Sequence, residues 1–268
     1  MTQTKLVAIL NITPDSYSDG VLYIEHSAVI KQIKHLLKSE PAVIDIGAIS
    51  TRPKSISPSI NEEKARFDAV LSAIISALDN SDTQISIDSY NFETLQYLMT
   101  KLPIAWINDQ SGYRDERIVA LARNTAMKLV VMHNITIHVD PQKIVSEELD
   151  VTLVVKDWLL ARAEYLMSQG IKKEQIILDP GIGFGKNAHQ SWKLIREAKI
   201  FVDTGYPILY GHSRKSFMNL VTDKAFAERD LETSVVSLYL ANQGVEYLRV
   251  HDVESNARGL KLEKYLRV

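Results

Sequence analysis

The stretch that decides the fold lies at residues 176–186 and reads IILDPGIGFGK. An apolar run ends in Asp179, and three glycines then follow at alternate positions. A phosphate-binding P-loop would end in Gly-Lys-Ser/Thr and a dinucleotide fingerprint would read GxGxxG, so this stretch fits neither. We interpret Gly181 and Gly183 as a turn that leads the chain tightly off a strand, whereas Gly185 is less clearly required.

The same arrangement, a short apolar run that ends in a polar residue, recurs along the chain. Eight runs rich in β-branched residues are Leu6–Leu10, Val43–Ile46, Ile85–Ile87, Ile104–Ile107, Leu129–Met132, Ile176–Leu178, Ile208–Leu209 and Tyr247–Val250. Helical spacing lies between them, as in Ala28–Leu37, Phe67–Leu78 and Leu153–Leu166. This alternation predicts a parallel sheet covered on both faces. Eight repeats in 268 residues favour an α/β fold of the (β/α)8 TIM-barrel type over a doubly wound sheet.

Composition and length narrow the class of protein. No linker rich in Gly, Pro or Ser divides the chain, so we expect one domain over residues 1–268. With 31 Lys and Arg against 33 Asp and Glu, nothing electrostatic suggests nucleic acid as a partner. The N-terminal apolar run is too short for a signal peptide or a membrane span, and cysteine is absent. We therefore expect a cytoplasmic protein with no membrane partner.

Polar residues follow nearly every apolar run, where a barrel builds its site from the carboxyl ends of its strands. They are Asn11, Asp45, Asp88, Asn108 with Asp109, His133 with Asn134, Asp179, the loop 211–215, and Arg249 with His251. Any single Asp or Asn is explained equally well as a helix cap. Arg, His and Lys do not cap helix N-termini, so the set as a whole indicates a polar pocket.

The residue types divide this pocket into two sides. Acceptor groups that suit the adjacent N–H donors of a flat heterocycle, such as a pterin or a purine, come from Asp88, Asn108 and Asp179. Groups that suit an anion such as phosphate come from Asn11, Ser213, Arg249 and His251.

Two other kinds of site are poorly supported. His133, His212 and His251 lie on separate strands, so a Mg2+ ion that rides on a phosphate is more plausible than a histidine-bound metal. Ser213 lies in GHSRKS, without the GxSxG elbow of a serine nucleophile.

The chain resembles the dihydropteroate synthase family in motifs that run nearly end to end. The matching stretches are ILNITPDSYSDG (9–20), DIGAISTRPKS (45–55), SIDSY (86–90), INDQSG (107–112), VVMHN (130–134), ILDPGIGFGK (177–186), GYPILYGHSRKSFM (205–218) and YLRVHDV (247–253). The resemblance implies a (β/α)8 barrel that is often a homodimer. It also implies a transferase of folate biosynthesis that joins 6-hydroxymethyl-7,8-dihydropterin pyrophosphate to para-aminobenzoate, with Mg2+, giving 7,8-dihydropteroate and pyrophosphate.

The resemblance also implies a role for each matching residue. The pterin would be held by Asp88, Asn108, Met132, Asp179 and Lys215, and pyrophosphate with its Mg2+ by Asn11, Arg249 and His251. The aminobenzoate would lie near Thr51, Pro53, Phe184, Lys215 and Ser216, and Arg52 and Ser213 are further expected substrate-binding residues. Asn11 is the expected metal ligand, and the expected catalytic residues are Lys215, Asp88, Asp179 and Arg249.

The second loop departs from the family pattern, DxGGESTRPG. Ala48 and Ile49 stand where Gly and Glu are usual, Lys54 replaces a Gly, and Val21 replaces a second Gly in the first loop. These changes leave two alternatives open: a synthase with another acceptor, or a pterin-binding barrel with weak or no catalysis. They also leave sensitivity to sulfonamides undecided.

A methyltetrahydrofolate-dependent methyltransferase barrel is a further alternative. It would share the Asp/Asn pocket but has no pyrophosphate to bind, so SRKSF and RVHD argue against it. Apolar residues near the C-terminus, Val235, Val236, Leu238, Tyr239 and Leu240, would suit either a dimer surface or packing on the barrel.

Overall fold

The computed structural model describes residues 3–13, 26–50, 57–79 and 81–266. Within these ranges no helix combines the length and the apolar character that crossing a membrane would require.

Eight parallel strands form one sheet that closes on itself. They are β1 (Lys5–Asn11), β2 (Val43–Gly47), β3 (Gln84–Asp88), β4 (Ile104–Asp109), β5 (Lys128–Met132), β6 (Ile176–Asp179), β7 (Leu209–Tyr210) and β8 (Tyr247–Val250). Hydrogen bonding follows the order β6-β5-β4-β3-β2-β1-β8-β7, and a parallel bridge between Leu178 and Ile208 joins the two outer strands. The predicted (β/α)8 barrel is confirmed, and each predicted strand lies within two residues of the observed one.

Helices follow the strands and cover the outside of the barrel. They are α1 (His26–Leu37), α2 (Ile60–Asp68), α3 (Leu71–Leu78), α4 (Phe92–Met99), α5 (Glu116–Ala122), α6 (Val151–Ser168), α7 (Ala188–Arg196), α8 (Ala198–Val202), α9 (Asp230–Asn242) and α10 (Val253–Leu266). Short 3-10 turns occupy Lys173–Gln175, Ser216–Leu220 and Phe226–Glu228.

One predicted helix is two in the structure. The apolar spacing over Phe67–Leu78 indicated a continuous helix, but the chain breaks between α2 and α3. Val70 has φ −124° and ψ −2°, outside the helical region, and begins α3 as its N-cap residue. Phe67, Val70 and Ile74 are nevertheless all fully buried, so the break redirects the chain without exposing the apolar face that produced the pattern.

Every second residue of a strand points into the barrel, and these inward residues form an apolar floor and a polar mouth. The floor is a separate apolar cluster made by inward residues near the strand starts: Val7, Val43, Trp106, Val130, Ile177, Leu209 and Tyr247. Two positions further along, the inward residues are polar on several strands, as at Asp45, Asn108, Asp179 and Arg249. The barrel therefore supports a closed apolar base beneath a mouth lined with charge.

The apolar residues of α9 divide between core and surface. Val236 and Leu240 are buried, whereas Val235 and Tyr239 are 59% and 40% exposed. Barrel packing therefore accounts for only part of the apolar pattern on this helix.

Candidate active site

Two ion pairs of Arg249 lie at the centre of the barrel mouth. Its Nε donates to Oδ2 of Asp45 over 2.6 Å, and its Nη2 donates to Oδ2 of Asp88 over 2.7 Å. Because burying charges costs solvation, such pairs are stable only when their remaining acceptors are also satisfied. Asp45 meets this condition, since it accepts from Ser86 Oγ at 2.5 Å and Asn108 Nδ2 at 2.9 Å.

Asp88 is held on its other side by Gln110, a residue that the sequence reasoning missed. Gln110 Nε2 lies 2.8 and 2.9 Å from the two carboxylate oxygens of Asp88. Burial raises the pKa of Asp88 to about 7, although Arg249 opposes the rise. Gln110 Oε1 is buried and has no hydrogen-bond partner within the described parts of the chain. The available signal was the alternation Trp106, Asn108, Gln110, which places all three side chains inside the barrel.

A second group of charges lies around Asp179 and Lys215. Asp179 Oδ1 accepts from the backbone N–H of Gly181 at 2.8 Å, and burial raises the pKa of Asp179 against the pull of Lys215. Lys215 donates to the carbonyl of Ile182 at 2.6 Å, with its ammonium 4.4 Å from the centre of the Phe184 ring. Burial lowers the pKa of Lys215 to about 8, and Asp179 opposes that shift. Met132, opposite Asp179 in the strand register, is buried beside it.

Ser213 and His251 form a third part of the mouth. The His251 backbone N–H donates to Ser213 Oγ over 3.2 Å, and His251 Nδ1 lies 2.9 Å from the same hydroxyl. The Ser213 hydroxyl, predicted as a donor to an anion, thus already contacts His251. Ser216, at the start of a 3-10 turn, is exposed.

The loop that carries Lys215 is held in place from outside the barrel. Arg214 adopts φ +60° and forms a two-pronged ion pair with Asp230, over 2.7 and 2.8 Å. Arg229 donates to the carbonyls of Arg214 and Lys215, each at 3.2 Å. These contacts fix the backbone from which Lys215 extends.

Several polar residues at the strand ends face away from the mouth. Asp109 accepts from the backbone N–H groups of Ser111 and Tyr113 at 2.7 and 3.0 Å, so its carboxylate shapes its own turn. His212 lies 2.9 Å from Ser237 Oγ on α9. The polar residues at the strand ends therefore divide between the mouth and the outer side of the barrel, because neighbouring residues on a strand point to opposite faces.

His133 also belongs outside the mouth, where it contacts the lysine of the glycine-rich loop. Lys186 Nζ lies 2.8 Å from His133 Nδ1 and donates to the carbonyls of His133 and Gly181 at 3.1 and 2.9 Å. Asn134 is likewise engaged, with its amide donating to the carbonyl of Gln110. Lys186 therefore stabilises the turn after β6 by linking Gly181 to His133 on the side away from the mouth.

All three glycines of this turn adopt the left-handed conformation, with φ of +67° at Gly181, +79° at Gly183 and +66° at Gly185. A Cβ atom at Gly185 would lie 2.6 Å from the Ile135 side chain. Gly185, which the sequence left as less clearly required than Gly181 and Gly183, is required, because both its conformation and its surroundings exclude a side chain.

The remaining predicted residues lie at the rim. Asn11, the last residue of β1, is partly buried. Thr51, Arg52 and Pro53, together with the substituted Lys54 and Val21, lie outside the described residues. Of the altered second loop, Ala48 is buried and Ile49 is partly buried, and Arg66 of α2 donates to the Ala48 carbonyl over 2.6 Å.

Within the described ranges, no group of three or more His, Asp and Glu side chains is arranged to hold a metal ion.

These features define a class of protein: a (β/α)8 barrel whose mouth offers buried carboxylates, amides and fixed cations to a small polar ligand. A family model described as pterin binding enzyme matches residues 7–251. The chain is 35% identical over 261 residues to dihydropteroate synthase of Staphylococcus haemolyticus, covering 96% of this chain and 93% of that protein. The chain belongs to the pterin binding enzyme family.

Two further comparisons describe the extent of the likeness. The crystal structure of dihydropteroate synthase from Anaplasma phagocytophilum with bound 6-hydroxymethylpterin-monophosphate superposes with a TM-score of 0.88 at 34% identity, covering 98% of this chain and 99% of that chain. The chain is also 34% identical over 260 residues to the folate synthesis bifunctional protein of Chlamydia caviae. That alignment takes in 96% of this chain but spans only 58% of the bifunctional protein.

Gly181→Ala should destabilise the protein far more than Gly205→Ala. Both glycines have positive φ, which costs an alanine about 1 kcal/mol. A Cβ at Gly181 would lie 2.0 Å from the His133 carbonyl oxygen, whereas nothing lies within 4 Å of a Cβ at Gly205. Thermal unfolding of the two variants measures the difference, and equal losses would contradict the assigned contact.

The pKa of Lys215 should respond to its two charged neighbours in opposite directions. We expect Asp179→Asn to lower it below the value of about 8, and Arg249→Gln to raise it. NMR titration of 13C-methylated lysine side chains measures both shifts, and Lys215→Arg identifies the signal. An unchanged pKa in both variants would refute the arrangement.

The titration of Lys215 also determines how its contribution to the free energy of unfolding changes with pH. The unfolded chain keeps this proton up to the ordinary pKa of 10.5, whereas the folded protein releases it near pH 8. Because the unfolded state binds more protons between these values, this lysine's contribution to the free energy of unfolding increases as the pH rises through that range.

Proposed function

We propose that the chain is a dihydropteroate synthase, which condenses 6-hydroxymethyl-7,8-dihydropterin pyrophosphate with para-aminobenzoate to give 7,8-dihydropteroate and pyrophosphate. The observation that carries the proposal is the arrangement of Arg249 between Asp45 and Asp88, with Asp179 and Lys215 also at the barrel mouth. This arrangement offers acceptors to a heterocycle and cations to a phosphate within one site.

The side of the mouth that carries the hydrogen-bond acceptors fits the edge of a pterin. Asp88, Asn108 and Asp179 are buried, and Gln110 Oε1 is an unpaired acceptor within the described structure. A buried acceptor without a partner is costly, and an N–H donor of the ligand would remove that cost. Met132, buried and apolar, supplies a surface against which a flat ring can pack.

The cationic side suits the leaving group. Arg249 uses Nε and Nη2 on carboxylates, so the rest of its guanidinium edge is the part we assign to pyrophosphate, together with Ser213 and His251. Asn11 would add an amide oxygen, and hard oxygen ligands are those that Mg2+ prefers. Mg2+ carried by the pyrophosphate would help to neutralise its charge.

The chemistry requires no side-chain nucleophile. The bond between the pterin methylene carbon and the pyrophosphate oxygen breaks, and its electron pair leaves with the pyrophosphate. The arylamine nitrogen then forms the new C–N bond and loses a proton. Asp88, whose pKa burial raises to about 7, is suited to accept that proton near neutral pH, whereas Lys215, whose pKa burial lowers to about 8, is the neighbouring cation.

The acceptor substrate is assigned to the surface formed by Phe184, Lys215 and Ser216, with Thr51, Arg52 and Pro53 as the further residues proposed for it. Lys215 stands over the Phe184 ring at 4.4 Å and so joins an aromatic wall to a cation. An aryl carboxylate matches this pair, because the ring stacks on one group and the carboxylate meets the other. The same match makes sulfonamides, which mimic this acceptor, proposed inhibitors.

We further propose a cytoplasmic homodimer. The exposed apolar side chains of α9 and α10, Leu231, Val235, Tyr239, Leu262, Tyr265 and Leu266, offer the surface for a second copy. Sedimentation velocity of the purified chain tests this proposal, and a monomer at micromolar concentration would refute it.

Purified protein should release pyrophosphate only when the pterin pyrophosphate, para-aminobenzoate and Mg2+ are all present. Coupled pyrophosphate release measures turnover, and mass spectrometry identifies the pteroate product. Pterin binding without turnover would instead favour the non-catalytic alternative that Ala48, Ile49 and Lys54 leave open. Turnover with another arylamine but not with para-aminobenzoate would favour an altered acceptor.

Arg249→Ala should weaken binding of the pterin pyrophosphate more than binding of the free pterin. Both ligands lose affinity because Asp45 and Asp88 lose their partner, but only the pyrophosphate also loses a charge-assisted contact of about 1.5–3 kcal/mol. Isothermal titration calorimetry measures both affinities. Asp179→Asn is the matched control, since it should reduce both alike, and equal losses in Arg249→Ala would refute the phosphate role.

A further inference from the structure

Glu63, on α2, is a fully buried carboxylate that the proposed chemistry does not use. It accepts from Ser89 Oγ at 2.7 Å, from Asn91 Nδ2 at 2.8 Å and from Thr94 Oγ1 at 2.6 Å. No ion pair to Glu63 exists among the residues that the structure describes. A carboxylate buried on neutral donors alone is an expensive feature, so what it holds in place is informative.

All three donors belong to the segment that begins directly after Asp88. Asn91 is the N-cap residue of α4, yet its side chain makes no capping bond to the helix and turns to Glu63 instead. Ser89 Oγ accepts the backbone N–H of Asn91 at 3.1 Å, so its own proton is directed to Glu63. The negative charge thus lies at the N-terminus of α4, where the helix dipole favours it.

The same helix also holds the end of the neighbouring strand. Arg66, one turn after Glu63, donates to the Ala48 carbonyl over 2.6 Å. Ala48 follows Gly47, and a Cβ atom at Gly47 would lie 3.4 Å from the Asp88 Cβ. Helix α2 therefore contacts the chain on both sides of Asp88. Glu63 contacts the turn that follows Asp88, and Arg66 contacts the end of β2, the strand beside Asp88.

We infer that Glu63 is a positioning residue that fixes the turn after β3, and through it the carboxylate of Asp88, for binding of the pterin. This inference rests on the proposed function for its ligand. The role is exerted through hydrogen bonds to Ser89, Asn91 and Thr94, since Glu63 itself lies on α2 behind the strand.

Glu63→Gln tests the role because it keeps the shape but places an amide N–H2 against the donors of Asn91 and Thr94. We expect the dissociation constant for 6-hydroxymethylpterin to rise about tenfold, the loss of one hydrogen bond to a charged group. In turnover, KM for the pterin pyrophosphate should rise while KM for the acceptor stays unchanged. Unchanged pterin affinity would overturn the inference.

The chain offers a rescue through Asn91. In the double variant Glu63→Gln with Asn91→Asp, the amide introduced on α2 donates to the carboxylate introduced at the start of α4, which restores the pair with its polarity reversed. Pterin affinity should return to within about threefold of wild type, whereas Asn91→Asp alone places two carboxylates together and should weaken binding. Failure of the double variant to recover affinity would overturn the positioning role.

Two control variants separate this role from general stability. Glu62→Gln changes the exposed neighbour, which caps α2 with Ser59, and should bind pterin as the wild type does. Ile74→Ala creates a cavity in α3 and should lower the unfolding temperature without changing pterin affinity. An equal loss of affinity in Ile74→Ala would overturn the inference.

Hydrogen exchange keeps this test distinct from the test of the function. In Glu63→Gln the amides of residues 89–95 should exchange faster, while those of β6 should not. If the wild-type chain binds no pterin, the proposed function fails, and the exchange rates still decide whether Glu63 holds the turn. Unchanged exchange in this segment would overturn that role.

Discussion

The mouth of this barrel depends on one guanidinium buried between two carboxylates. Without Arg249, Asp45 and Asp88 would be neighbouring buried anions, an arrangement whose cost in desolvation and repulsion would protonate one of them or open the structure. With it, two positions on β2 and β3 can carry carboxylates that also accept hydrogen bonds from Ser86, Asn108 and Gln110. Arg249 therefore determines both the charge and the positions of the two carboxylates in this part of the site.

Side chains alternate between the two faces of a strand, so neighbouring polar residues at the mouth lie on opposite sides of the barrel wall. On β4, Asn108 points inward and donates to Asp45, while Asp109 points outward and caps its own turn. The loop after β7 divides in the same way, with Ser213 toward His251 and His212 toward α9. Chemistry and structural support thus alternate along one strand, so consecutive polar residues at a strand end should not be assigned a common role.

This alternation also explains how far the sequence could predict the molecule. Periodicity alone predicted all eight strands and the polar mouth, because both follow from local patterns. The pairing of Arg249 with Asp45 joins residues 204 positions apart, and no local pattern contains it. Gly185 was left as less clearly required for the same reason, since the obstacle to a side chain there is Ile135, from another loop. The end of α2 was missed because burial of Val70 continues across the break.

The second loop, which departs from the family pattern, begins at a residue that is held by its backbone. Its first residue, Ala48, is buried and anchored by Arg66 through a backbone carbonyl, an interaction that does not depend on the side chain at that position. Gly47, the residue before Ala48, is paired with Asp88 in the register of β2 and β3. Ile49, the next substituted residue, is partly buried, and Lys54 lies outside the described residues. The contact from Arg66 therefore fixes the start of the altered loop through the backbone, directly after the strand residue that pairs with Asp88.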